Sequence, residues 1–473
     1  MYIHIVNKKG AIFLSTSIDT TRYGEKVVAI EPYGVEGIAI SERHGKAGNQ
    51  FTLWLGSNLT IADYALGFFP IALGMSWPYV VASIIVGNIL GGLALALSAS
   101  MGPGYGIPQL MITRFTFGRI GGYIPAIFNY VSTIGWFTVN NILGTFGLQV
   151  LFPHLAFWQG AIILVVIQSL LAIYGHNLIH FYERIMSVVL GLMFLIVTFI
   201  ALSHHQILVA YQPHVKSPWV LFVIMVAAAF SYIGSWGPYA SDYSRYLAPD
   251  TKKRRIGGYA FLGSFIASVW LELLGAAVAV LVGNSSANPI AALHTVMGSF
   301  GAVSVVAIIL GGTAADALNL YSNSLAAGAL DVRLPRWALA LIAGVIGLVL
   351  SLLGSGGFEQ NYDNFLLLLG YWMTPWMGVL FADFYVKKAY RHRSVDQRAE
   401  ASVYWPGLLS FVIGILVSVP FMDSSLYEGP IAKALNGMDL TFYVGFLVAF
   451  MLYLMMSSRS SARSLNEPSL KSE

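Results

Sequence analysis

Three acidic side chains fall within long apolar stretches of this chain. They are Asp63, Glu272 and Asp316, and no Lys or Arg lies at a comparable depth. Because an ionised group in hydrocarbon costs about 2.5–3.5 kcal/mol on insertion scales, such acids usually face a cavity or a partner. Acids without fixed basic partners are suited to binding a cation or a proton. The alternative is that each acid is neutral, hydrogen-bonded to backbone, and only holds two helices together.

The aromatic residues Trp136 and Trp236 form a second group, each near the middle of an apolar stretch. The spacing of Thr133, Trp136 and Asn140 places all three on one face of a helix. An aromatic plate beside hydrogen-bonding groups suits a flat heteroaromatic ligand, since the plate stacks on the ring while the polar groups read its edge. The alternative is that both Trp residues are interfacial anchors, the usual role of Trp in membrane proteins.

Small and polar residues interrupt two of the apolar stretches, one from Trp54 to Asp63 and one from Gly234 to Tyr239. Pro238 lacks an amide hydrogen, so a continuous helix is costly there. Unwound backbone at membrane depth is tolerated where it faces protein or a cavity. Two such interruptions, five spans apart, predict inverted repeats with a binding site between them near the middle of the membrane. The alternative is a pair of ordinary kinks with packing glycines.

Hydropathy predicts the elements that position these residues. Twelve stretches each approach the ~20 residues that a helix needs to cross ~30 Å of hydrocarbon. The chain is therefore predicted to be an all-α polytopic membrane protein with twelve transmembrane helices. The predicted spans are 51–75, 78–100, 121–150, 157–174, 184–203, 218–240, 257–282, 299–328, 336–354, 364–386, 404–421 and 439–457.

The positive charges predict the orientation of these spans. Of the 26 Lys and Arg residues, all except Lys216 and Lys433 fall on the side of the N-terminus. Positive charge is enriched in cytoplasmic loops, so both termini are expected in the cytoplasm and the chain in the cell inner membrane. Residues 1–50 are then a cytoplasmic N-terminal arm, and residues 458–473 a cytoplasmic tail.

Composition excludes several classes of function. The chain is 57% hydrophobic and only 10% charged, with a mean hydropathy of +0.70, whereas a soluble domain is about 25% charged. The absence of Cys removes thiol catalysis and Cys-based metal sites. His176 and His180 share a helical spacing, but no Glu is placed beside them as in a zinc hydrolase. We therefore expect that the protein is not an enzyme and holds no metal and no cofactor. We also expect no nucleic-acid partner, because the net charge of +4 comes from cytoplasmic loops.

Several segments together carry a family resemblance from about residue 36 to residue 460. The most specific segment runs from Ser235 to Tyr243 and reads Ser-Trp-Gly-Pro-Tyr-Ala-Ser-Asp-Tyr. Weaker segments occur in the right order and spacing; they are Ser41-Glu42-Arg43, Trp54 with Asn58, Gly135-Trp136, Glu272-Leu273-Leu274-Gly275 and Asn319-Leu320-Tyr321-Ser322. In these segments the chain resembles the nucleobase–cation symporter-1 family, in its purine–cytosine permease branch.

The resemblance implies a leucine-transporter-like fold and alternating access. The first repeat would cover 51–203, the inverted second repeat 218–386, and two additional C-terminal helices 404–457. It also implies that a planar ring is held between the aromatic residues of spans 3 and 6, which match Trp136 and Trp236. Polar contacts to the edge of the ring would come from spans 1, 3, 6 and 8, and the best matches are Asn58, Thr133, Ser235 and Asn319.

The resemblance leaves the coupling ion open. Sodium-coupled members place the ion between backbone carbonyls of span 1 and hydroxyls of span 8. Here only Thr313 offers a hydroxyl near that position, with Gly312 beside it. This departure makes proton coupling through Asp316 or Glu272 at least as good an interpretation.

The leading hypothesis is secondary active uptake of cytosine or a purine, driven by a proton or sodium gradient. Trp136 and Trp236 would stack the base, and Asp63, Asp316 or Glu272 would carry the coupling charge. The edge of the base would be read from a group that includes Asn58, Thr133, Asn140, Gly234, Ser235 and Asn319. A related alternative is the same transporter for another heterocycle, such as uracil, allantoin, hydantoin or a vitamin. Alternatives of other classes are a non-transporting sensor and a membrane-embedded enzyme. The partners that we expect are the nucleobase and the lipid bilayer. A monomer would suffice for this function.

Overall fold

The computed structural model describes residues 23–464, apart from residues 25, 29, 216–217, 284–287 and 389–400. Lys216, the first 22 residues and the tail beyond residue 464 therefore lie outside the described residues. The α-helices, numbered in chain order, are α1 Asn49–Asn58, α2 Ile61–Leu66, α3 Phe68–Ala72, α4 Trp77–Ala99, α5 Gly102–Tyr105, α6 Gln109–Phe117, α7 Tyr123–Leu151, α8 Phe157–Tyr174, α9 His176–Ser203, α10 His205–Ala210, α11 Pro218–Gly234, α12 Ala240–Ser244, α13 Lys253–Val282, α14 Pro289–Met297, α15 Gly301–Ala329, α16 Arg336–Gly354, α17 Phe358–Phe381, α18 Trp405–Ser418, α19 Pro430–Ala434 and α20 Thr441–Ser464.

Short segments complete the described structure. A π-helical turn, Ala382–Val386, follows α17 directly. Strands β1 (Asp423–Ser424) and β2 (Tyr427–Glu428) form a small antiparallel ladder between α18 and α19. The 3₁₀ turns are Ile40–Glu42, Gly237–Tyr239, Gly298–Phe300 and Val419–Phe421.

Every predicted span coincides with a helix or with a broken helix. Among the described residues, eight helices are long and apolar enough to cross a membrane. The other four predicted spans correspond to the broken first span, to the more polar α7, and to the shorter apolar segments Trp405–Phe421 and Thr441–Ser457. The protein is thus an all-α, multi-pass membrane protein, and the count of twelve crossings stays a prediction. Three boundaries differ by more than five residues: α9 begins at His176 and not near residue 184, α17 begins at Phe358 and not near 364, and α20 continues to Ser464 beyond 457.

Both interruptions expected from the sequence are present. In the first, α1 ends at Asn58, and the Thr60 side chain caps α2 by accepting a hydrogen bond from the Asp63 backbone N–H at 3.3 Å. A side-chain cap of this kind satisfies an amide that lacks a helical partner. In the second, α11 ends at Gly234 and a 3₁₀ turn containing Pro238 leads into α12. Residues of both breaks are buried in the interior of the bundle.

The helix contacts repeat in pairs that correspond under exchange of the two halves. Helix α4, in the second span, packs on α11 of the sixth, and α1 of the first span packs on α13 of the seventh. In the same way, α7 packs on α16 and α8 packs on α15. This is the contact pattern of two structural repeats related by a pseudo-twofold axis. The C-terminal helices α18 and α20 pack on each other and on α17, outside that pattern.

Two glycines bring the second half of the broken first span directly onto α13. A Cβ added to Gly67 would overlap the backbone carbonyl of Glu272, and one added to Gly275 would overlap the carbonyl of Tyr64. Close approach of backbones at small residues is a recurring device of membrane helix packing. It places Asp63 of α2 beside Glu272 of α13.

A Gly67→Ala substitution is therefore expected to destabilise the protein. Forcing a methyl group against the Glu272 carbonyl should separate α3 from α13 and cost about 1–3 kcal/mol, as overpacking does. The measurement is the melting temperature of the purified protein in detergent, which should fall by several degrees. Gly191→Ala in α9 is the matched control, because no atom lies within 4 Å of a Cβ added there. Equal melting temperatures for the two variants would contradict the packing described.

The described part of the N-terminal arm is built into the helical bundle. Glu31 is fully enclosed and forms an ion pair with Arg245, 2.9 Å between Oε1 and Nη2. The hydroxyls of Tyr321 and Tyr246 also donate to Glu31. A buried charge is tolerated when it is paired and hydrogen-bonded in this way. Glu31 and the buried Tyr23 thus anchor the described part of the arm to the helical bundle.

A second ionic cluster ties the loop after α15 to α6 and α7. Asp331, with a left-handed φ of 60°, accepts hydrogen bonds from Arg114 at 2.9 Å, from Arg119 at 2.8 Å and from the Tyr123 hydroxyl. Burial raises the pKa of the Asp331 carboxyl, but the hydrogen bonds from Tyr123, Arg114 and Arg119 outweigh burial, so that the pKa falls to about 2. The carboxylate is therefore held in its charged form.

Asp331→Asn is expected to lower the melting temperature by a few degrees at neutral pH. Asn tolerates the left-handed backbone, so the change removes the charge and one of the two acceptor oxygens without straining the backbone. Because the pKa of Asp331 is depressed in the folded state, its contribution to stability is full above the ordinary value of 3.8 and is lost as pH falls through about 2. The difference between wild type and variant should accordingly shrink on acidification, and a difference that grows at low pH would contradict the assignment.

Candidate substrate and cation sites

The two breaks are joined by a hydrogen bond between side chains. The indole N–H of Trp236 donates to the Asn58 side-chain oxygen at 3.0 Å, and the Asn58 amide donates to the Trp54 carbonyl at 2.7 Å. The Trp54 ring lies edge-on to Trp236, with centroids 5.5 Å apart. Asn58, one of the predicted ligand contacts, therefore fixes the orientation of Trp236.

Trp136 lies in α7 among aromatic rings of other helices. It meets Tyr232 of α11 edge-on at 5.2 Å between centroids and Phe365 of α17 at 5.2 Å. Only 5% of Trp136 is exposed, and its indole N–H has no hydrogen-bond partner. Since buried Trp N–H groups usually find an acceptor, this free donor is a candidate ligand contact.

A chain of polar side chains runs beside Trp136. Asp316 Oδ1 accepts from the Asn140 amide at 3.1 Å and from the Asn319 amide at 3.5 Å. The Tyr239 hydroxyl donates to the Asn319 side-chain oxygen at 3.4 Å, and the Tyr239 ring packs edge-on against Trp236. The chain thus joins α7, α15 and the break in the sixth span. Asp316 Oδ2 and Asn140 Oδ1 remain buried without partners, which leaves two acceptors for a ligand.

The remaining predicted edge contacts are engaged with protein groups. The Ser235 hydroxyl donates to the Tyr232 carbonyl at 2.7 Å. Thr133 donates to the Asn129 carbonyl at 3.0 Å and accepts from the Asn323 amide at 2.8 Å, so it lies with Asn323 and apart from the Asp316 group. Gly234 ends α11 directly before Ser235.

Asp63 and Glu272 form an acid pair across the interface of the first and seventh spans. Both side chains are fully buried, and Ser268 lies beside Asp63. The Asn88 amide of α4 donates to Glu272 Oε1 at 3.0 Å, and Glu272 Oε2 has no partner. Two adjacent carboxyls in a dry interior do not both carry a charge unless a cation lies between them. The pair is therefore a candidate site for a proton or a small cation.

The region matched to a sodium site is less complete. The Thr313 hydroxyl donates to the Ile309 carbonyl of its own helix at 2.8 Å. Gly311 faces the first break, because a Cβ added there would lie 3.3 Å from the Leu59 carbonyl oxygen. By contrast, a Cβ added to Gly312 itself would meet no atom within 4 Å, so open space lies beside this residue. Across the described residues, no group of three or more His, Asp or Glu side chains is arranged to hold a metal ion.

The sequence profile of a family of permeases for cytosine and purines, uracil, thiamine and allantoin matches residues 38–445. The chain belongs to this permease family. The match covers both breaks, both Trp residues and all three intramembrane acids, so the family resemblance seen in the sequence is confirmed.

Individual relatives agree with the family assignment. The Bacillus subtilis protein YxlA, named as a purine–cytosine permease, is 30% identical over 94% of this chain and 99% of its own length. The purine–cytosine permease fcyB of Emericella nidulans is 24% identical over 92% of both chains. These relatives are transport proteins and not enzymes.

A solved structure supports the fold. Mhp1, described as a nucleobase–cation symport-1 family transporter in a closed conformation with bromovinylhydantoin bound, superposes with a TM-score of 0.76 at 19% identity, covering 92% of this chain and 96% of Mhp1. The predicted leucine-transporter-like, five-plus-five arrangement is thereby confirmed at the level of the fold.

Sequence reasoning missed several residues of this permease's interior. Tyr239 links Trp236 to the polar chain, Tyr232 packs on Trp136 and is hydrogen-bonded to Thr60, and Asn88 supports Glu272. Asn88 could have been found, since a lone amide in the apolar run of α4 implies a partner. The two Tyr residues lacked such a signal, because aromatic side chains are common in every span of this chain.

Proposed function

We propose that this permease is a secondary active symporter that imports cytosine or an amino-bearing purine together with a proton. The observation that carries the choice of substrate is the pair of free acceptors, Asp316 Oδ2 and Asn140 Oδ1, beside Trp136. Cytosine and adenine each carry an exocyclic amino group whose two hydrogens can be donated to two acceptors, whereas uracil carries a carbonyl oxygen at the position of the cytosine amino group. The ring itself would stack between Trp136 and Trp236, with Asn319, Ser235, Asn58 and Gly234 around it, while Thr133 would support the site from its contact with Asn323.

The proposed coupling site is the pair formed by Asp63 and Glu272. Proton binding needs a single carboxyl in a protected environment, whereas sodium needs several oxygen ligands. The acid pair meets the first requirement, while Thr313 turns its hydroxyl to its own helix. These observations favour a proton, and sodium held between Leu59 and Thr313 is the second candidate.

The permease is proposed to lie in the cell inner membrane with both termini in the cytoplasm, as its charge distribution indicates. We propose repeats at 51–203 and 218–386, followed by two additional helices within 404–457. A monomer is sufficient for this arrangement, because the site lies between the repeats of one chain.

Competition of uptake tests the choice of substrate. Cells that lack their own base permeases would take up labelled cytosine through this protein, and unlabelled bases would compete. Cytosine and adenine are expected to compete at least ~10-fold better than uracil, because uracil carries a carbonyl oxygen where cytosine carries its amino group, so a buried acceptor of the site would face another acceptor. Stronger competition by uracil, allantoin, a hydantoin or a vitamin would assign the site to that heterocycle.

Asp316→Asn is expected to shift the preference from cytosine towards uracil. The substitution can turn a free acceptor into an amide donor, which suits a carbonyl of uracil and opposes the amino group of cytosine. The ratio of cytosine to uracil uptake should fall by ~10-fold or more, since an unpaired buried group costs about 1–3 kcal/mol. Asp250→Asn, in an exposed turn between α12 and α13, is the matched control. An unchanged ratio for Asp316→Asn would remove this carboxyl from the substrate site.

A further inference from the structure

A fourth buried acid, Glu183, lies outside both sites described above. It belongs to α9 and immediately precedes the span expected from hydropathy, and for that reason it is not among the intramembrane acids predicted above. Its side chain is fully buried, and neither carboxyl oxygen has a hydrogen-bond partner. An unpaired buried carboxyl is costly to keep, so a role in transport explains it better than packing does.

Glu183 lies against the first half of the broken first span. A Cβ added to Gly56 would overlap both the Oε2 atom and the backbone carbonyl of Glu183. Gly56 stands two residues before the end of α1 at Asn58. The carboxyl therefore adjoins the break, on the side that leads to the N-terminal arm, and it would sense any movement of α1 against α9.

Glu183 is not paired with a base among the residues that the structure describes. Helix α1 contributes no titratable side chain. On α9 itself, Tyr182 donates to the Leu310 carbonyl at 3.2 Å, while His180 and Arg184 line a cavity. Other titratable groups on the helices packed against α9 are Tyr174 of α8; Lys253, Arg254, Arg255, Tyr259 and Glu272 of α13; His294 of α14; and Asp316 and Tyr321 of α15.

A cavity lined by His180 and Arg184, the neighbours of Glu183 on α9, reaches the N-terminal arm. Its volume is about 240 Å³, and its lining includes His44, His176, His180, Gln50 and Arg184. His180 precedes Glu183 by one helical turn, so the two side chains are neighbours on the surface of α9. His176 Nδ1 is buried without a partner. The buried carboxyl thus lies against the broken helix and within one helical turn of residues that line a polar cavity.

We propose that Glu183 is the carboxyl that exchanges the coupling proton with the cytoplasm. This inference rests on the proposed proton coupling. When the base is released, the Glu183 carboxylate accepts one proton from the Asp63–Glu272 pair, so that an O–H bond of the pair breaks as one forms on Glu183. The resulting carboxylic acid then loses that proton to water in the histidine-lined cavity, and no other bond changes.

The test compares exchange with accumulation for Glu183→Gln. Exchange of labelled external cytosine for unlabelled internal cytosine needs no net release of the proton, so it should stay within ~2-fold of wild type, since Gln can take the place of the protonated acid. Accumulation that collapses with a protonophore should fall at least ~10-fold, because Gln cannot release a proton. Glu183→Asp should restore part of the accumulation.

Three outcomes would overturn the inference. One is wild-type accumulation by Glu183→Gln, and another is loss of exchange together with accumulation at normal membrane abundance. If Glu183→Gln fails to reach the membrane, Glu183→Met takes its place, because an apolar side chain of similar size removes the unpaired carboxyl without leaving a polar group behind. Protonophore-sensitive accumulation of cytosine by Glu183→Met is the third outcome that would overturn the inference. If wild type itself shows no protonophore-sensitive accumulation, the proposed proton coupling fails, which is a separate result.

Discussion

Trp236→Ala is expected to reduce cytosine uptake about 100-fold, since stacking of a base on an aromatic ring is worth ~1–3 kcal/mol and the Asn58 side chain loses its partner as well. Trp236 is the ring that the second break presents to the centre of the bundle, between Trp54 and Tyr239. The measurement is initial uptake of labelled cytosine at matched membrane abundance.

Two further variants make this result specific. Trp236→Phe keeps an aromatic face but loses the indole N–H, so it should retain intermediate uptake. Trp337→Ala removes a ring that is 49% exposed at the start of α16, and it should leave uptake unchanged. Normal uptake by Trp236→Ala would remove the aromatic sandwich from the account.

Glu272→Gln is expected to abolish proton-driven accumulation of cytosine. Gln can still accept the hydrogen bond that Asn88 donates at 3.0 Å, so the helix contact should survive while the titratable group is lost. Because Asp63 and Glu272 share one site, their protons belong to the pair. Asp63→Asn should therefore have a similar effect, and the double variant should be no worse than either single variant. The measurement is the ratio of internal to external cytosine with and without a protonophore.

The control for this pair is Glu428→Gln. Glu428 lies in β2, with a side chain that is 45% exposed and 3.7 Å from Lys433, so its loss should not affect accumulation. Effects of Asp63→Asn and Glu272→Gln that simply add in the double variant would show that the two carboxyls act at separate sites.

Much of the fold was accessible from the sequence because the membrane imposes strict rules. Each apolar stretch became a helix or a broken helix, and Pro238 and Thr60 mark the two breaks by chemistry that acts locally. What could not be predicted was the packing of the arm. Glu31 reaches Arg245 across more than two hundred residues, and such a contact has no local signal.

The candidate site was predicted only in part, and for a physical reason. Asp316 and Asn140 could be selected from the sequence because they are polar residues in apolar helices. In the structure the Asn140 amide donates a hydrogen bond to Asp316 Oδ1 at 3.1 Å. The partnership of Asp63 with Glu272 depends on the close approach at Gly67 and Gly275, which hydropathy does not encode. Glu183 escaped notice because hydropathy placed it just outside a span, whereas α9 continues through it.

The most direct measurement is proton movement driven by cytosine through the purified protein. The protein would be reconstituted into sodium-free liposomes that contain a pH-sensitive dye. An inward cytosine gradient is expected to acidify the lumen, and Trp236→Ala should remove this signal. No acidification, together with cytosine uptake that appears only when sodium is supplied, would contradict proton symport and assign the coupling to the region of Leu59 and Thr313.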